Sequence, residues 1–486
     1  MRKVNFCNRK ELLVAALMAC LLASCTVGPK YSTPSVPVSP AYREQPPASF
    51  KEVNGWMPAH PEDSQIRGNW WEVFRDPQLA VLEEQVPKAN QTLKAADASF
   101  RQARTLIAIN RSNLFPTVSV GPSISANRVS GYSPTGDQGF QYGLFSAGIN
   151  VSWDADFWGR IRRTVNTARE QYQASAADLE NVKLELQTEL AVDYFEARSL
   201  DADEELLNHT VEAYEKALQI TQNRYVGGVA SKVDVAQAQT QLEQTQAQAI
   251  DVGSARAAYE HAIAVLIGKT PEEFKLPVSP LHVEPPAVPV GLPSQLLQRR
   301  PDIASYERQV AAANEQIGIA KAAFYPDLVI SGSGGLQAGS IVNWFAWPSR
   351  FWSVGPSLLE TVYDAGRRRA QLTNALAGYD LAVANYRQSA LTAFQEVEDN
   401  LATLRILSEE SGKQHEATLA AENSLQLSMN RYKGGLVDYL EVITAQGIAL
   451  TNERSEVDIL RRRMDATVGL IKALGGGWNM SELPKG

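Results

Sequence analysis

Cys25 is the residue of this sequence whose surroundings predict a chemical modification. A basic segment and the apolar run LLVAALMACLLA precede it, and small residues stand directly before it at Ala23 and Ser24. A basic segment, a short apolar core and a small-residue cleavage site are typical of a secretory signal peptide. The tetrapeptide LASC is also typical of a bacterial lipobox, in which the cysteine becomes the lipidated N-terminus. We therefore expect a signal peptide at 1–24, and a diacylglycerol and an N-acyl chain, such as palmitate, on Cys25.

The residues around Cys25 also predict where the mature chain lies. Thr26 stands where an aspartate would favour retention at the inner membrane, so we expect a protein anchored in the outer membrane with a large periplasmic portion. Residues 25–65 are rich in proline and serine, which predicts a lipidated extended tether. Cys7 and Cys20 fall within the signal peptide, so the mature chain cannot form an internal disulfide.

Motifs for other chemistry are missing from the sequence. It contains no G-x-S-x-G elbow, no H-E-x-x-H pair and no phosphate-binding loop. Its histidines are scattered along predicted helices without the spacing of metal ligands. A net charge of −8 argues against a nucleic-acid groove. We therefore expect no enzyme, no metal, no nucleic-acid partner and no cofactor beyond the lipid on Cys25.

One turn occurs twice in the chain. NRYVGGVASKVDV at 223–235 returns as NRYKGGLVDYLEV at 430–442, and the paired glycines supply the backbone freedom for a tight reversal. The same spacing relates a Gly-Arg pair upstream of each turn. The repeated residues are Gly159, Arg160, Gly227 and Gly228 in the first copy and Gly366, Arg367, Gly434 and Gly435 in the second.

This repetition divides the chain into two structural repeats, which we place at 66–268 and 301–474. Each reads as a helix, two strands, the Gly-Arg junction, a very long helix, the turn and another long helix. Prolines crowd the segment 269–300, which predicts an extended connector between the repeats. Residues 475–486 form a C-terminal tail.

The predicted strands alternate apolar and small polar residues. In PTVSVGPSIS, for example, Val118, Val120 and Ile124 share one face, and serines share the other. Alternation over about ten residues is typical of transmembrane strands. It also occurs in half-buried soluble sheets. Because four strands cannot close a barrel and an open edge in lipid is costly, the strands require an oligomer. Two copies would give eight strands and three would give twelve.

The long helices require lateral partners. The stretch from Gly159 to Tyr225 lacks proline and would make about 100 Å of helix. Apolar residues recur along it at alternating spacings of three and four, which predicts a coiled coil with the helix after the turn. The equivalent seam of the second half contains Gln414, Asn452 and Glu456, which could face a partner or an aqueous interior.

Several motifs resemble those of the TolC-like outer membrane factors, in particular the NodT-type lipoproteins that serve efflux pumps. These motifs are NWWEVFRDPQL, RRPDIASYERQVAAANEQIGIAKAAFYP, WDADFWGRIRR and GPSLLETVYDAGRRRA. In the third motif Ala155 and Trp158 depart from the commoner Leu and Phe. The resemblance covers essentially the whole mature chain.

The resemblance implies an α+β membrane protein that is a homotrimer. Each chain would give four strands to one twelve-stranded transmembrane β-barrel, which would continue into a long periplasmic α-helical barrel of coiled-coil hairpins. The implied function is the exit duct of a tripartite efflux pump for drugs or other toxic small molecules. The implied partners are a periplasmic adaptor, an inner-membrane transporter of the RND type and outer membrane lipid.

The resemblance also assigns residues. It places the two turns at the periplasmic tip, where they would close the channel and contact the adaptor, and it places the Gly-Arg pairs at the strand-to-helix junctions. The implied tip residues are Arg224, Tyr225, Gly227, Gly228, Asp234, Arg431, Tyr432, Gly434, Gly435, Asp438, Glu441 and Thr444.

Two acids of the tip permit two interpretations. Asp234 and Glu441 each stand nine residues after the tyrosine of their turn. Threefold symmetry would arrange them as acidic rings at a constriction. They could instead stabilise the N-termini of the helices that they begin. Thr444 stands where the family often has an aspartate, and this difference would weaken or displace a ring.

We expect the second hairpin to move when the channel opens, because its seam is less apolar than that of the first hairpin.

Three other functions are alternatives to an efflux duct. A duct for type I protein secretion would share the fold, although lipidation at Cys25 favours the efflux branch. A periplasmic adaptor could also be a lipoprotein, but it should contain one hairpin and no membrane-type strands. An enzyme is the weakest alternative because no catalytic motif supports it.

Overall fold

The structure is a computed structural model that describes residues 27–36, 38–44, 69–132, 139–288, 290 and 293–484. The signal peptide, Cys25 and the tether beyond residue 44 lie outside the described residues. Each repeat contains a helix before its strands, two strands and a long helical hairpin, as the sequence predicts, and the first repeat has additional short helices.

The elements of the first repeat are α1 (Pro77–Glu83), α2 (Val86–Ala89), α3 (Gln91–Ser112), β1 (Thr117–Arg128), β2 (Gln141–Asp154), α4 (Arg160–Val226) and α5 (Lys232–Leu266). The connector contributes α6 (Pro293–Arg299). The second repeat contains α7 (Pro301–Ala322), β3 (Asp327–Ala338), β4 (Arg350–Leu359), α8 (Arg367–Lys433) and α9 (Tyr439–Ala473).

The four strands form one antiparallel sheet in the order β1-β2-β3-β4. The register pairs Val120 with Ile149 and Leu328 with Leu358, so apolar residues of neighbouring strands share a face. Several serines pair with serines on the other face, as Ser123 does with Ser146 and Ser333 with Ser353. Because both sheet edges are free within one chain, β1 and β4 each present an unpaired row of backbone groups.

The long helices have the predicted dimensions. α4 and α8 each contain 67 residues, about 100 Å of helix, and α5 and α9 each contain 35. Among the described helices, none is both long enough and apolar enough to span a bilayer.

The helices lie side by side in the same order as the strands. Below the sheet, α3 packs on α4, α4 on α7 and α7 on α8. Further down, α5 packs on α4, α4 on α9 and α9 on α8. One chain is therefore four elements wide at each level and open at both edges. The edge helix α3 buries only Leu93, and Leu106 and Ile109 remain exposed.

The main hydrophobic core lies where the two repeats and the connector meet. Leu190 of α4, Leu401 of α8 and Leu470 of α9 are fully buried there, together with Trp70 and Leu276. This cluster joins the two hairpins at mid-height, which agrees with a belt around the helical barrel.

Two expectations about local structure need correction. The connector is not wholly extended, because Pro271 begins a short 3-10 turn and Pro293 begins α6. Proline fits the first turn of a helix, where its missing N–H is not needed. The polar seam residues of the second hairpin bond across the hairpin. Gln414 donates to Asn452 Oδ1 at 2.9 Å, and His415 contacts Glu456 at 3.1 Å.

Candidate functional site

The two turns have one backbone conformation. The first glycine of each pair, Gly227 or Gly434, has φ of −74° or −75°. The second, Gly228 or Gly435, has φ of +78° or +76°, in the left-handed region that favours glycine. In each turn the next amide donates back to the carbonyl of the repeated arginine, at 2.9 Å and 3.0 Å. Both hairpins therefore reverse in the same way at the same end of the molecule.

Arg224 connects the two hairpins. Its Nη1 donates to the carbonyl oxygen of Lys433 at 2.9 Å, and its guanidinium lies 4.7 Å from the centroid of the Tyr432 ring. The Tyr432 hydroxyl in turn donates to Thr221 Oγ1 at 3.3 Å. A hydrogen bond to a charged donor and a cation–π contact each stabilise the pairing of the hairpins by about 1 kcal/mol or more.

A small apolar cluster lies behind this contact. The rings of Tyr432 and Tyr439 are 5.1 Å apart, and Val442 and Ala238 complete the cluster from both hairpins. Burial, with a smaller contribution from Tyr432, raises the pKa of Tyr439 to about 12. Sequence reasoning missed Tyr439, and it placed Thr221 only on the seam of the first long helix. The signal for Tyr439 is that an aromatic residue replaces Lys232 of the first copy.

The two acids at equivalent positions have different partners. Asp234 forms a capping box with Ser231, whose amide donates to the carboxylate at 2.8 Å and whose hydroxyl accepts from the Asp234 amide at 3.1 Å. Glu441 accepts from Arg431 Nη1 at 2.8 Å and from the Ser428 hydroxyl at 3.3 Å. Asp234 thus stabilises the start of α5, and Glu441 links α9 to α8 within the second hairpin.

The remaining tip residues lie around these contacts. Asp438 directly precedes α9, and its side chain makes no capping bond. The exposed Thr444 donates to the carbonyl of Leu440 one turn back, at 2.9 Å. Tyr225 is 45% exposed, and its neighbour Val226 is 86% exposed. Tyr225 therefore lies on the outside of the hairpin contact that Arg224 and Tyr432 make.

The junctions place a left-handed glycine before each 67-residue helix, with φ of 79° at Gly159 and 87° at Gly366. Arg160 pairs with Asp154 at the end of β2 and lies 3.8 Å from Asp327 at the start of β3. Its counterpart Arg367 donates its backbone N–H to the carbonyl of Asp364 at 3.1 Å, and its side chain is exposed.

Sequence reasoning missed the acids that cap these helices. Asp156 accepts from the amides of Ile161 and Arg162 at 2.7 and 3.0 Å. Asp364 accepts from the amide of Arg368 at 3.1 Å. The signal was present, because an aspartate precedes the glycine in both WDADFWG and YDAG.

The described part of the tether lies against the body of the protein. Its first described residue, Val27, donates its N–H to the carbonyl of Trp158 at the first junction, at 3.4 Å. Further along, Glu398 of α8 accepts from the amides of Arg43 and Glu44 at 2.7 and 2.9 Å. The segment therefore runs from the junction to the middle of the helical layer. Within the ranges that the structure describes, no three His, Cys, Asp or Glu side chains lie close enough together to hold a metal ion.

Comparison with known proteins identifies the family to which this architecture belongs. The model of the family described as "Outer membrane efflux protein" matches residues 82–269 and 292–476. The chain is 32% identical to the solvent efflux pump outer membrane protein SrpC of Pseudomonas putida, over 97% of this chain and 99% of that protein. It is also 32% identical to the pyoverdine export outer membrane protein OpmQ of Pseudomonas aeruginosa, over 85% and 88% of the two chains.

Solved structures show the same fold. The outer-membrane channel OprN superposes with a TM-score of 0.83 at 29% identity, covering 93% of this chain and all of that one. The open state of the MtrE channel of Neisseria gonorrhoeae gives 0.78 at 25% identity, covering 94% and 99%.

The chain is one third of a trimeric channel. Four strands from each copy form a twelve-stranded barrel that continues into a barrel of long helices. The free edges of the single chain, which are β1 and β4 in the sheet and α3, α5 and α8 among the helices, are where such copies meet. The chain belongs to the outer membrane efflux protein family, in which it is the outer membrane channel of an efflux pump for small molecules.

Proposed function

We propose that this chain, as a homotrimer, receives small molecules from an inner-membrane transporter of the RND type through a periplasmic adaptor and releases them outside the cell. The observation that carries this proposal is the bonding of the two repeated hairpins to each other at one end, through Arg224 and Lys433. Such a contact can hold a channel end shut and can be undone by a partner. We assign the chain no catalytic role.

In this proposal the tip has two sets of residues. Arg224 and Tyr432 hold the hairpins of one chain together, and Arg431 with Glu441 stiffens the second hairpin. The apolar residues that remain exposed at the turns offer a surface to the adaptor. They are Tyr225, Val226, Val229 and Leu436, which are 45%, 86%, 66% and 74% exposed.

We further propose that the cargo is a range of small organic molecules. Relatives are named for the efflux of solvent, toluene and antibiotics or for the export of pyoverdine. In the described strands, charged residues occur only at strand ends, and the polar face of the sheet consists largely of serine and glycine. A neutral hydroxyl-lined channel discriminates little between solutes, so selection would occur upstream.

We propose that Cys25 is lipidated and that its lipid lies beside the barrel. Val27 bonds to Trp158 at the strand-to-helix junction, where the membrane-facing sheet ends and the helices begin. Only Thr26 separates Val27 from Cys25, so a lipid attached there would reach the inner leaflet of the outer membrane. Labelling with radioactive palmitate tests this idea. The wild-type chain should incorporate label and Cys25→Ala should not, while an unlabelled wild-type chain would refute lipidation.

Efflux and conductance together test the proposed duct. A strain that lacks its own outer membrane efflux channel should regain resistance to toluene and antibiotics when it expresses this chain together with an adaptor and a transporter of the RND type. The purified trimer should conduct in planar bilayers. Restored secretion of a protein, without any gain in small-molecule resistance, would support the type I secretion alternative and contradict this proposal.

A further inference from the structure

The loop between β3 and β4 presents an unusual number of exposed apolar side chains. It occupies residues 339–349, at the end of the sheet opposite to the helices. Val342, Phe345 and Trp347 are 87%, 74% and 75% exposed, and Ile341 is 63% exposed. Exposed apolar side chains gathered on one loop are typical of an interaction surface.

The loop folds toward the apolar face of the sheet. The Trp344 ring lies 5.7 Å from that of Phe145, which pairs with Ile124 and shares its face. The guanidinium of Arg350 lies over the Trp347 ring, and Arg350 lies on the same face as Trp352, two residues along β4. The aromatic loop therefore extends the apolar, membrane-facing side of the barrel and does not cover the hydroxyl-lined side.

Two arginines occupy the same rim. Arg128 ends β1 and Arg350 begins β4, both on the apolar face and both exposed. Neither forms an ion pair with an acidic side chain anywhere in the described ranges. At the opposite end of the sheet the charged strand residues are the acids Asp154 and Asp327. Because β1 and β4 are the two edges, Arg128 of one copy and Arg350 of the next come to the same seam of the trimer.

We propose that this rim binds phosphate-bearing lipids of the outer leaflet, with the aromatic loop inserted among the acyl chains and the two arginines at each seam on the phosphates. Aromatic residues favour the membrane interface because one side of the ring is apolar and the other tolerates water. Arginine binds phosphate through paired, charge-assisted hydrogen bonds. The cations therefore lie where anionic headgroups begin, and the apolar side chains lie where hydrocarbon begins. The proposal rests only on the placement of the barrel in the outer membrane and is independent of the cargo.

Native mass spectrometry of the detergent-solubilised full-length trimer tests this site. The probes are lipid A that carries both phosphates and the same lipid after enzymatic removal of the phosphates. We expect the wild type to retain the phosphorylated lipid, and Arg128→Gln and Arg350→Gln each to reduce retention about five-fold. Arg350→Lys should retain much of the binding because it keeps the charge. Lys413→Gln, which removes an exposed cation from the helical barrel, is the matched control and should change nothing.

Trp347→Ala separates the apolar contribution from the ionic one. It should weaken retention of both lipid forms to a similar extent, and a heat-stable trimer on gels verifies that each variant has assembled. Equal retention of the phosphorylated lipid by the wild type and both glutamine variants would overturn the proposal. So would equal losses for the phosphorylated and dephosphorylated lipids in Arg350→Gln. If Trp347→Ala altered association between trimers and left lipid retention unchanged, the loop would be a protein interface and the proposal would also be overturned.

Discussion

Arg224 connects the two hairpins of one chain through two contacts at once, one to a backbone carbonyl and one to an aromatic ring. In the tip closure that we propose, the trimer brings three copies of this residue to one end of the channel. A modest energy per chain would then become a large change in the probability that the tip is closed.

Arg224→Ala should make the channel leaky. Loss of both contacts should cost about 2 kcal/mol per chain, since each contact contributes about 1 kcal/mol. Single-channel conductance at rest, and sensitivity of cells to large antibiotics that normally do not pass the outer membrane, should both increase. Thr444→Ala is the control, because that hydroxyl bonds only within its own helix. An unchanged conductance for Arg224→Ala would remove this residue from the closing contact.

Glu83 is a buried acid that should make the stability of the protein depend on pH. It is fully buried in α1, neither carboxylate oxygen has a hydrogen-bond partner, and burial raises its pKa well above the ordinary value of 4.5. Above pH 4.5 the carboxyl ionises in the unfolded chain while it stays protonated in the folded one. The wild type should therefore lose stability as pH rises from that value, by up to about 1.4 kcal/mol per pH unit.

Glu83→Gln removes this titration. The melting temperature of the variant should exceed that of the wild type at pH 8 and approach it at pH 4.5. Glu84→Gln, at an exposed neighbouring carboxylate, should behave like the wild type at both values. A gap between Glu83→Gln and the wild type that does not depend on pH would show that folding leaves the pKa of Glu83 unshifted.

At the scale of single residues, the sequence predicts positions better than partners. The repeated NRY turn places Arg224 and Tyr432 at equivalent reversals of the two hairpins, because a repeat maps equivalent residues onto each other, and the family resemblance places both reversals at the tip. It could not reveal that Arg224 reaches the other hairpin, since that contact joins residues 209 positions apart in the chain. The equivalent positions of Asp234 and Glu441 likewise did not predict that the two acids have different partners. The partner is Ser231 in the first copy and Arg431 in the second.

Among the elements, the turns depend on one glycine each. Gly228→Ala should destabilise the first turn by about 1–2 kcal/mol, because φ of +78° is unfavourable for alanine although space for a Cβ is free. Gly227→Ala is a matched control at φ of −74°. Hydrogen exchange of the tip amides should accelerate in Gly228→Ala and not in Gly227→Ala. Equal exchange in the two variants would show that the turn tolerates a second conformation.

The start of α4 depends on Asp156 in a comparable way. Its carboxylate side chain is only 8% exposed and binds the first free amides of a 67-residue helix. Asp156→Ala should lower the free energy of unfolding by about 1–2 kcal/mol, and Asp156→Asn should recover part of it. Denaturant melts of the purified protein provide the measurement. If Asp156→Ala were as stable as the wild type, the carboxylate would not be needed and Gly159 alone would be sufficient to start α4.

Element types and lengths could be read from the sequence because they follow local rules. The absence of proline and glycine from 160–226 sets the length of α4, and period-two alternation identifies the strands. The bonding of Gln414 to Asn452 could not be read in this way, since a polar residue on a seam has the same pattern whether it faces water, a partner or its own hairpin. Likewise, a proline-rich connector can begin a helix at Pro293, because proline is compatible with both extended and first-turn conformations.

The whole molecule is completed by its copies. α3 and α8 are edge helices in the same way that β1 and β4 are edge strands. Ile109→Asp, on the exposed side of α3, should therefore prevent formation of a heat-stable trimer without unfolding the chain, because it would place a charge between two copies. Light scattering and circular dichroism measure the two effects separately. Val278→Asp, at a similarly exposed apolar site in the connector, should assemble normally.

The trimer itself is the step at which sequence reasoning needed a known family. Alternation in the strands excludes a single chain in lipid, but it leaves eight and twelve strands equally possible. The edges where copies meet belong to α3, α5 and α8, which lie far apart in the chain, so no short motif encodes the number of copies.

The open edges also determine how a defect in one subunit affects the whole trimer. A subunit with an intact tip and core but a faulty β4 edge still offers a good β1 edge, so it can enter a ring and leave that ring unsealed. If half of the subunits in a cell carried such a fault and mixing were random, only about one eighth of the trimers would be free of it. A truncated or edge-altered copy that is produced beside the normal one should therefore have a dominant-negative effect. It would suppress efflux far more strongly than halving the amount of the normal chain.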